Sequence, residues 1–439
     1  MKKIKFILLG ALSTLLLASC SLFNDNDVVI ENHFKTKEEA SQEKEPEKTI
    51  DGVGSDDIKI GETEALVFKN VVYSNMEVDG VKKIKNTYKD LGSSFHINEE
   101  NDYDVNPDNN NFDLYIPKGL KTNEDQTVAL FVHGGAWVSG LKTHVNPYVK
   151  EFTRRGYISA TIEYTLLNKD FDNEHKDLSI FRDLDEIDAC ISTMKSFLVK
   201  YGFTGKLSLV IGGVSSGAHL SMLYAYSRGE SIKDSFPIKF IVDAVGPTDI
   251  KEDVWKAFDF GSGEEADYEA AMTGEINSEA IAKCRADGNL KPLEVSGEGY
   301  DWTQFQTMKI ANGMCGFQFS PAQVADAKDT DGISVKAGDV YNKMIANSDS
   351  GENLLSVTSY IKDTNIIPII CAYGGQDSVV GIAQFANLET KLKSKGYVKE
   401  STYEYFFFET AGHTNIDKPE EQVKYDAFMN KIEDWLKTK

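Results

Sequence analysis

The sequence is short of positive charge. Its 47 Lys and Arg face 69 Asp and Glu, a formal net charge of -22. Phosphate binding needs clustered Lys and Arg, so nucleic acid is not the expected partner. Long apolar runs are also scarce. Beyond the first twenty residues no stretch reaches the ~20 apolar residues a bilayer-spanning helix needs. Cysteine is limited to five residues, and no His/Cys cluster has the spacing of metal ligands. No metal site is therefore expected. No internal repeat is visible. What is present is ordinary: 41% hydrophobic and 11% aromatic residues, enough for a sizeable globular core.

The N-terminus stands apart. Lys2, Lys3 and Lys5 precede an apolar run from Phe6 to Leu17, the pattern of a secretory signal. It ends Leu17-Ala18-Ser19-Cys20, which resembles the bacterial lipobox. Residues 1–20 are thus expected to be a lipoprotein signal peptide, with Cys20 the lipidated residue. The expected location is exported, at the cell envelope and lipid-anchored to its membrane. From Lys37 to Lys48 nearly every residue is Glu, Lys, Gln, Ser or Pro. Such a run buries nothing, so residues 21–64 are expected to form a disordered acidic tether. Of the remaining cysteines, Cys190 and Cys371 read as buried thiols. Cys284 and Cys315 share a loop-rich segment and are the one plausible disulfide pair.

Residues 65–439 carry the pattern of one folded domain. Phe112 to Ile116 reads as a strand stopped by Pro117. Short apolar runs follow at Val128–Val132, Tyr157–Ile162, Leu207–Ile211, Phe240–Val245, Ile366–Ala372 and Tyr403–Phe408. Unbroken runs of this length suit strands covered on both faces, as in a parallel sheet. Helical spacing lies between them, as in Ile187, Ile191, Met194 and Leu198. Alternation of this kind implies a doubly wound, mostly parallel α/β sheet. One interval breaks the rhythm. Roughly a hundred residues separate Asp249 from Ser356, far more than the ~2–6 of an ordinary connection. The interval contains Trp255, Tyr300, Trp302, Phe305, Phe317 and Phe319, and is read as an inserted cap over about 251–355.

Two glycine motifs carry the chemistry. Gly213-Val214-Ser215-Ser216-Gly217 fits G-x-S-x-G, running from an apolar strand into a helix. In a nucleophile elbow the small flanking residues let strand and helix approach, leaving Ser215 exposed to substrate. His133-Gly134-Gly135-Ala136-Trp137 follows the strand Val128–Val132. Its glycines free backbone N–H groups to face a developing oxyanion. Gly134, Gly135 and Ser216 are the expected donors, and His133 is read as ordering the loop.

A serine nucleophile needs a base, and the base needs an orienting acid. Asp377 follows the strand Ile366–Ala372, and His413 follows Tyr403–Phe408. The order Ser215, Asp377, His413 is that of an α/β-hydrolase triad. Asp249, in Gly246-Pro247-Thr248-Asp249, also follows a strand and is the alternative acid. His219, one helical turn beyond Ser215, is read as packing at the elbow; His144 is read as a loop residue.

The strings Phe112–Pro117, His133–Trp137 and Gly213–Leu220 resemble carboxylesterases, the group holding hormone-sensitive-lipase-like enzymes and the BD-FAE-like feruloyl and acetyl-xylan esterases. H-G-G-x-W and G-x-S-x-G-A-H-L are also similar to kynurenine formamidase. The resemblance covers roughly Phe112–Asp249 and Ile366–Lys439. It implies the α/β-hydrolase fold, and cofactor-free hydrolysis of a small-molecule ester or aryl amide. The chain departs from many of these relatives at Tyr164-Thr165, where they have Tyr-Arg, and in its long insertion. Three expectations stay open: an esterase, an aryl-amide or formamide hydrolase, and a binding lipoprotein on a dead hydrolase scaffold.

Overall fold

The computed structural model describes residues 50, 52–74, 77–78, 81–82, 110–137, 140–167, 179–250, 314, 354–377, 379–413, 416 and 419–439. The signal and lipidation site at Cys20, the Cys284–Cys315 pair and the aromatic residues of the insertion lie outside them.

Among the described residues eleven strands are formed: β1 (Ser55–Ile60), β2 (Thr63–Ser74), β3 (Glu77–Val78), β4 (Val81–Lys82), β5 (Asn110–Pro117), β6 (Gln126–Val132), β7 (Ile158–Glu163), β8 (Leu207–Val214), β9 (Ile238–Ala244), β10 (Ile369–Gly374) and β11 (Tyr403–Phe408). β3 and β4 pair only with each other, and the other nine make one sheet in the order β1-β2-β5-β7-β6-β8-β9-β10-β11. The ladders from β7 to β11 are all parallel, whereas β1, β2 and β5 add antiparallel pairings at one edge. The chain therefore has a mostly parallel α/β sheet, as the alternating pattern implied.

β1 corrects one expected boundary. It pairs with β2 from Ser55↔Phe68 to Ile60↔Thr63, so the sheet begins before residue 65 and the tether cannot extend to 64. Only Ile60 of this edge strand is buried, and the exposed polar positions gave the segment its tether-like composition.

Among the described residues five α-helices cover the sheet: α1 (Asn146–Arg154), α2 (Ile180–Tyr201), α3 (Ser216–Ile232), α4 (Ala383–Ser394) and α5 (Gln422–Thr438). α2 buries Leu184, Ile187, Ile191, Met194 and Leu198 on one stripe and ends at Gly202, whose φ of 117° suits glycine. Strand residues alternate between two cores. Val128, Leu130, Leu209, Ile211 and Cys371 face the core that receives α2, α3 and α4. Ala129, Phe131, Val210, Val242 and Ile370 face the core of α1 and α5. With both faces covered, the strands need no polar side, which is why their sequence reads as unbroken apolar runs. Cys190 and Cys371 are buried free thiols. Among the described residues no helix is long and apolar enough to cross a membrane.

Candidate active site

The site sits where parallel strands end. β8 runs into α3 through Ser215, whose φ of 55° and ψ of -123° are strained for a residue with a side chain. The turn is held from both sides. The Ser215 amide donates to Ala244 O at 2.9 Å, and the His219 amide donates to Ser215 O at 3.0 Å. The flanking glycines are required by contact. A Cβ on Gly217 would lie 2.1 Å from Val132 O, and one on Gly213 would lie 2.4 Å from the Gly217 carbonyl carbon.

Loops after β10 and β11 bring the other two residues to Ser215. His413 Nε2 lies 2.9 Å from Ser215 Oγ, and His413 Nδ1 lies 2.8 Å from Asp377 Oδ2. An ionised carboxylate only accepts, so Nδ1 carries the imidazole proton and Nε2 accepts from the serine hydroxyl. The second carboxylate oxygen, Asp377 Oδ1, accepts the backbone N–H groups of Val379 at 2.8 Å and Val380 at 2.9 Å. These bonds fix the direction of the acid. The elbow serine is only 9% exposed, as is His413.

Asp249 is placed otherwise. Its Oδ1 accepts from Ser356 Oγ at 3.0 Å, and its amide donates to Gln384 Oε1 at 2.9 Å. Both nitrogens of His413 are already engaged with Ser215 and Asp377, so Asp249 holds the chain around the insertion rather than the imidazole.

The glycine loop after β6 crosses the elbow. A Cβ at Gly134 would sit 2.8 Å from Val214 O and 3.2 Å from Ser215 Cβ, so only glycine fits there. Gly135 has φ 127°, Ala136 52° and Trp137 63°, three consecutive residues in the left-handed region. Ser216 opens α3, where the first amides have no intrahelical acceptor and the helix dipole favours negative charge. His133 is fully buried beneath the loop. Its ring stacks on Tyr164 at 4.3 Å, and the Tyr164 hydroxyl donates to His133 O at 3.2 Å. His144 also serves local structure, its Nδ1 accepting from the Leu141 amide at 3.3 Å.

Three side chains of this region escaped sequence reasoning. Lys142 is fully buried, and its Nζ donates to Asn70, Asn111 and Asp113. Glu163 accepts the Lys142 amide at 2.9 Å. Trp137 donates its indole N–H to His219 Nδ1 at 3.3 Å. Only the pairing of H-G-G-x-W with G-A-H hinted at the last contact; nothing local signalled the others. Among the described residues no group of His, Cys, Asp and Glu could hold a metal ion.

Comparison with known proteins adds a partial match to one family model. Residues 112–285 match the family model BD-FAE, which spans the glycine loop and the elbow. Several solved structures are distantly similar. Esterase B from Lactobacillus Rhamnosis has 12% identity and a TM-score of 0.46, over 85% of this chain and 87% of that one. A truncated carbohydrate esterase from gut microbiota has 15% and 0.43, over 83% and 95%. Thermogutta terrifontis esterase 2 has 13% and 0.43, over 84% and 93%. No curated protein sequence matches the chain. The BD-FAE match covers 174 of the 439 residues and is a likeness to that family over this part of the chain.

Proposed function

We propose that this α/β-hydrolase is a serine esterase that cleaves small or carbohydrate-linked acyl esters through an acyl-enzyme. The observation that carries the reading is the hydrogen-bonded line from Ser215 Oγ through His413 to Asp377. Ser215 Oγ attacks the ester carbonyl carbon while His413 Nε2 takes its proton. The carbonyl oxygen becomes an oxyanion facing the amides of Gly134, Gly135 and Ser216. The C–O bond to the alcohol then breaks, and His413 returns the proton to the leaving oxygen. Water repeats the sequence on the acyl-enzyme, releasing the acid and Ser215. Asp377 keeps the imidazole in the tautomer that can accept from Ser215 and stabilises the imidazolium.

Two further parts complete the proposal. The insertion of about 251–355 leaves the fold after β9, at the carboxyl edge that carries the elbow, and acts as a cap that selects substrate. Leu17-Ala18-Ser19-Cys20 supplies a lipid anchor to the cell-envelope membrane at Cys20. Mass spectrometry of the mature N-terminus tests the anchor, and a first residue other than lipidated Cys20 would refute it.

A fluorophosphonate probe tests the nucleophile, since only an activated serine reacts. Labelling is expected at Ser215 and absent in Ser215→Ala. No labelling of the native protein would leave a dead scaffold. Turnover of acyl esters of graded length, acetylated xylan and N-formylkynurenine then tests the substrate. Preference for the last would move the reading to an amide hydrolase.

A further inference from the structure

We propose that His219, acting through Trp137, is a positioning residue for the oxyanion loop; the proposal rests on the serine-esterase reading above. The imidazole of His219 is fully buried, with both nitrogens against obligate partners. Its Nε2 lies 2.7 Å from Leu355 O, a carbonyl that can only accept. Nε2 therefore carries the proton. Its Nδ1 lies 3.3 Å from Trp137 Nε1, an indole nitrogen that can only donate. Nδ1 is therefore the acceptor. This fixes a neutral imidazole in the tautomer opposite to that of His413. Burial works in the same direction, holding the pKa down to about 4.

The tether matters because of what it restrains. Gly135, Ala136 and Trp137 all have positive φ, and an L-residue there costs roughly 1–2 kcal/mol. A strained turn persists only where its surroundings over-determine it. Trp137 is anchored at two points. Its carbonyl accepts the Leu167 amide at 2.8 Å, and its indole reaches His219. The indole packs edge-on against the imidazole, with ring centroids 5.2 Å apart at 89°. His219 is also bound to the nucleophile, because its amide donates to Ser215 O. One residue of α3 thus holds the nucleophile's backbone, the far end of the oxyanion loop and the chain returning from the insertion. It fixes the distance between Ser215 and the amides of Gly134 and Gly135 without touching substrate.

The test compares Trp137→Phe, which removes the indole donor, with His219→Leu and His219→Gln. Gln supplies one acceptor and one donor and is the conservative replacement. The readouts are kcat and KM for p-nitrophenyl butyrate and the Ki of an alkyl trifluoromethyl ketone, whose adduct places an oxyanion in the hole. Loss of a whole oxyanion donor costs about 10²–10³ in kcat, so displaced donors should cost about tenfold. Trp137→Phe and His219→Leu should each lower kcat by that amount and raise Ki in proportion, with KM within about twofold. Their effects should not add, because both remove the same bond. His219→Gln should recover most of kcat. Unchanged kcat, or a Ki that stays constant while kcat falls, would overturn the proposal. Should His219→Leu fail to fold, Trp137→Phe and the Gln variant still decide it. An inactive, unlabelled native enzyme would sink the serine-esterase reading, whereas an active native enzyme matched by its variants would sink only this one.

Discussion

Asp243 and Tyr373 share more acceptors than one phenol proton can serve. Tyr373 Oη lies 2.8 Å from Asp243 Oδ2 and 2.7 Å from Gly246 O, and a hydroxyl donates once. If Asp243 is protonated, its O–H donates to Tyr373 Oη and Tyr373 donates to Gly246 O. Asp243 Oδ1 then accepts the Gly246 amide at 2.8 Å, and every group is paired. Burial raises the Asp243 pKa to about 7, although bonds from Tyr373, Gly246 and Cys371 pull it down.

This pair predicts a pH dependence of stability. Below about pH 4 Asp243 is protonated in both folded and unfolded chains and contributes nothing. Between about 4 and 7 the unfolded chain releases the proton while the folded protein keeps it. Stability is therefore lost as pH rises, by at most about 1.4 kcal/mol per pH unit from this group. Asp243→Asn removes the slope. Denaturant unfolding from pH 5 to 8 should show the variant gaining on the wild type as pH rises. A constant difference would mean that Asp243 does not titrate in that range.

The geometry of His413 predicts unequal roles for the two candidate acids. Asp377→Asn should lower kcat by about 10⁴, since an amide can favour the wrong imidazole tautomer. Asp249→Asn keeps an acceptor for Ser356 Oγ and should change kcat by less than about threefold, because the carboxylate makes no bond to His413. Steady-state kinetics of both variants on one ester substrate checks this. The reverse ranking would make Asp249 the acid.

Gly217→Ala should damage folding before it damages chemistry. The added methyl would meet Val132 O at 2.1 Å and His133 O at 2.3 Å, both backbone atoms that cannot swing away. Overpacking of this kind costs typically 1–3 kcal/mol, and rigid backbone partners place it at or above the upper end. The expected result is a drop in Tm of several degrees or insoluble expression. A native Tm would show that β6 and α3 can part without cost.

The features legible in the sequence were those that restrict a position to one residue type. The glycines of the elbow and the oxyanion loop are required where α3, β8 and the loop after β6 cross, Gly217 against Val132 O and Gly134 against Val214 O, so they appear as motifs. The buried strands appear as apolar runs because both their faces are covered. β1 was not legible, because an edge strand with one buried residue has the composition of a tether. The Trp137–His219 bond was not legible either, since it joins positions 82 residues apart. Lys142 was the least legible, because a lysine between loop and helix reads as a surface residue.

Lys142 is the clearest case of a side chain whose removal harms more than its presence helps. Its ammonium has three N–H groups and three acceptors: Asn70 Oδ1 at 2.7 Å, Asn111 Oδ1 at 2.6 Å and Asp113 Oδ1 at 2.5 Å. Lys142 is 0% exposed and Asp113 3%, so water cannot replace either partner. Assembling such a pair in the interior costs desolvation that its attraction only partly offsets. Breaking it leaves a carboxylate buried without its cation. Lys142→Met should therefore destabilise by about 3–5 kcal/mol, with the methionine filling much of the same volume. Asp113→Asn alone leaves the charge on Lys142 uncompensated and should cost a similar amount. The double variant removes both charges of this pair and should recover part of the loss, a coupling of at least about 1 kcal/mol in a double-mutant cycle. Chemical unfolding of the four proteins measures it. Additive effects would show that the ammonium and the carboxylate are stabilised independently by the two asparagines and the Asn70 amide, and that the ion pair itself is incidental.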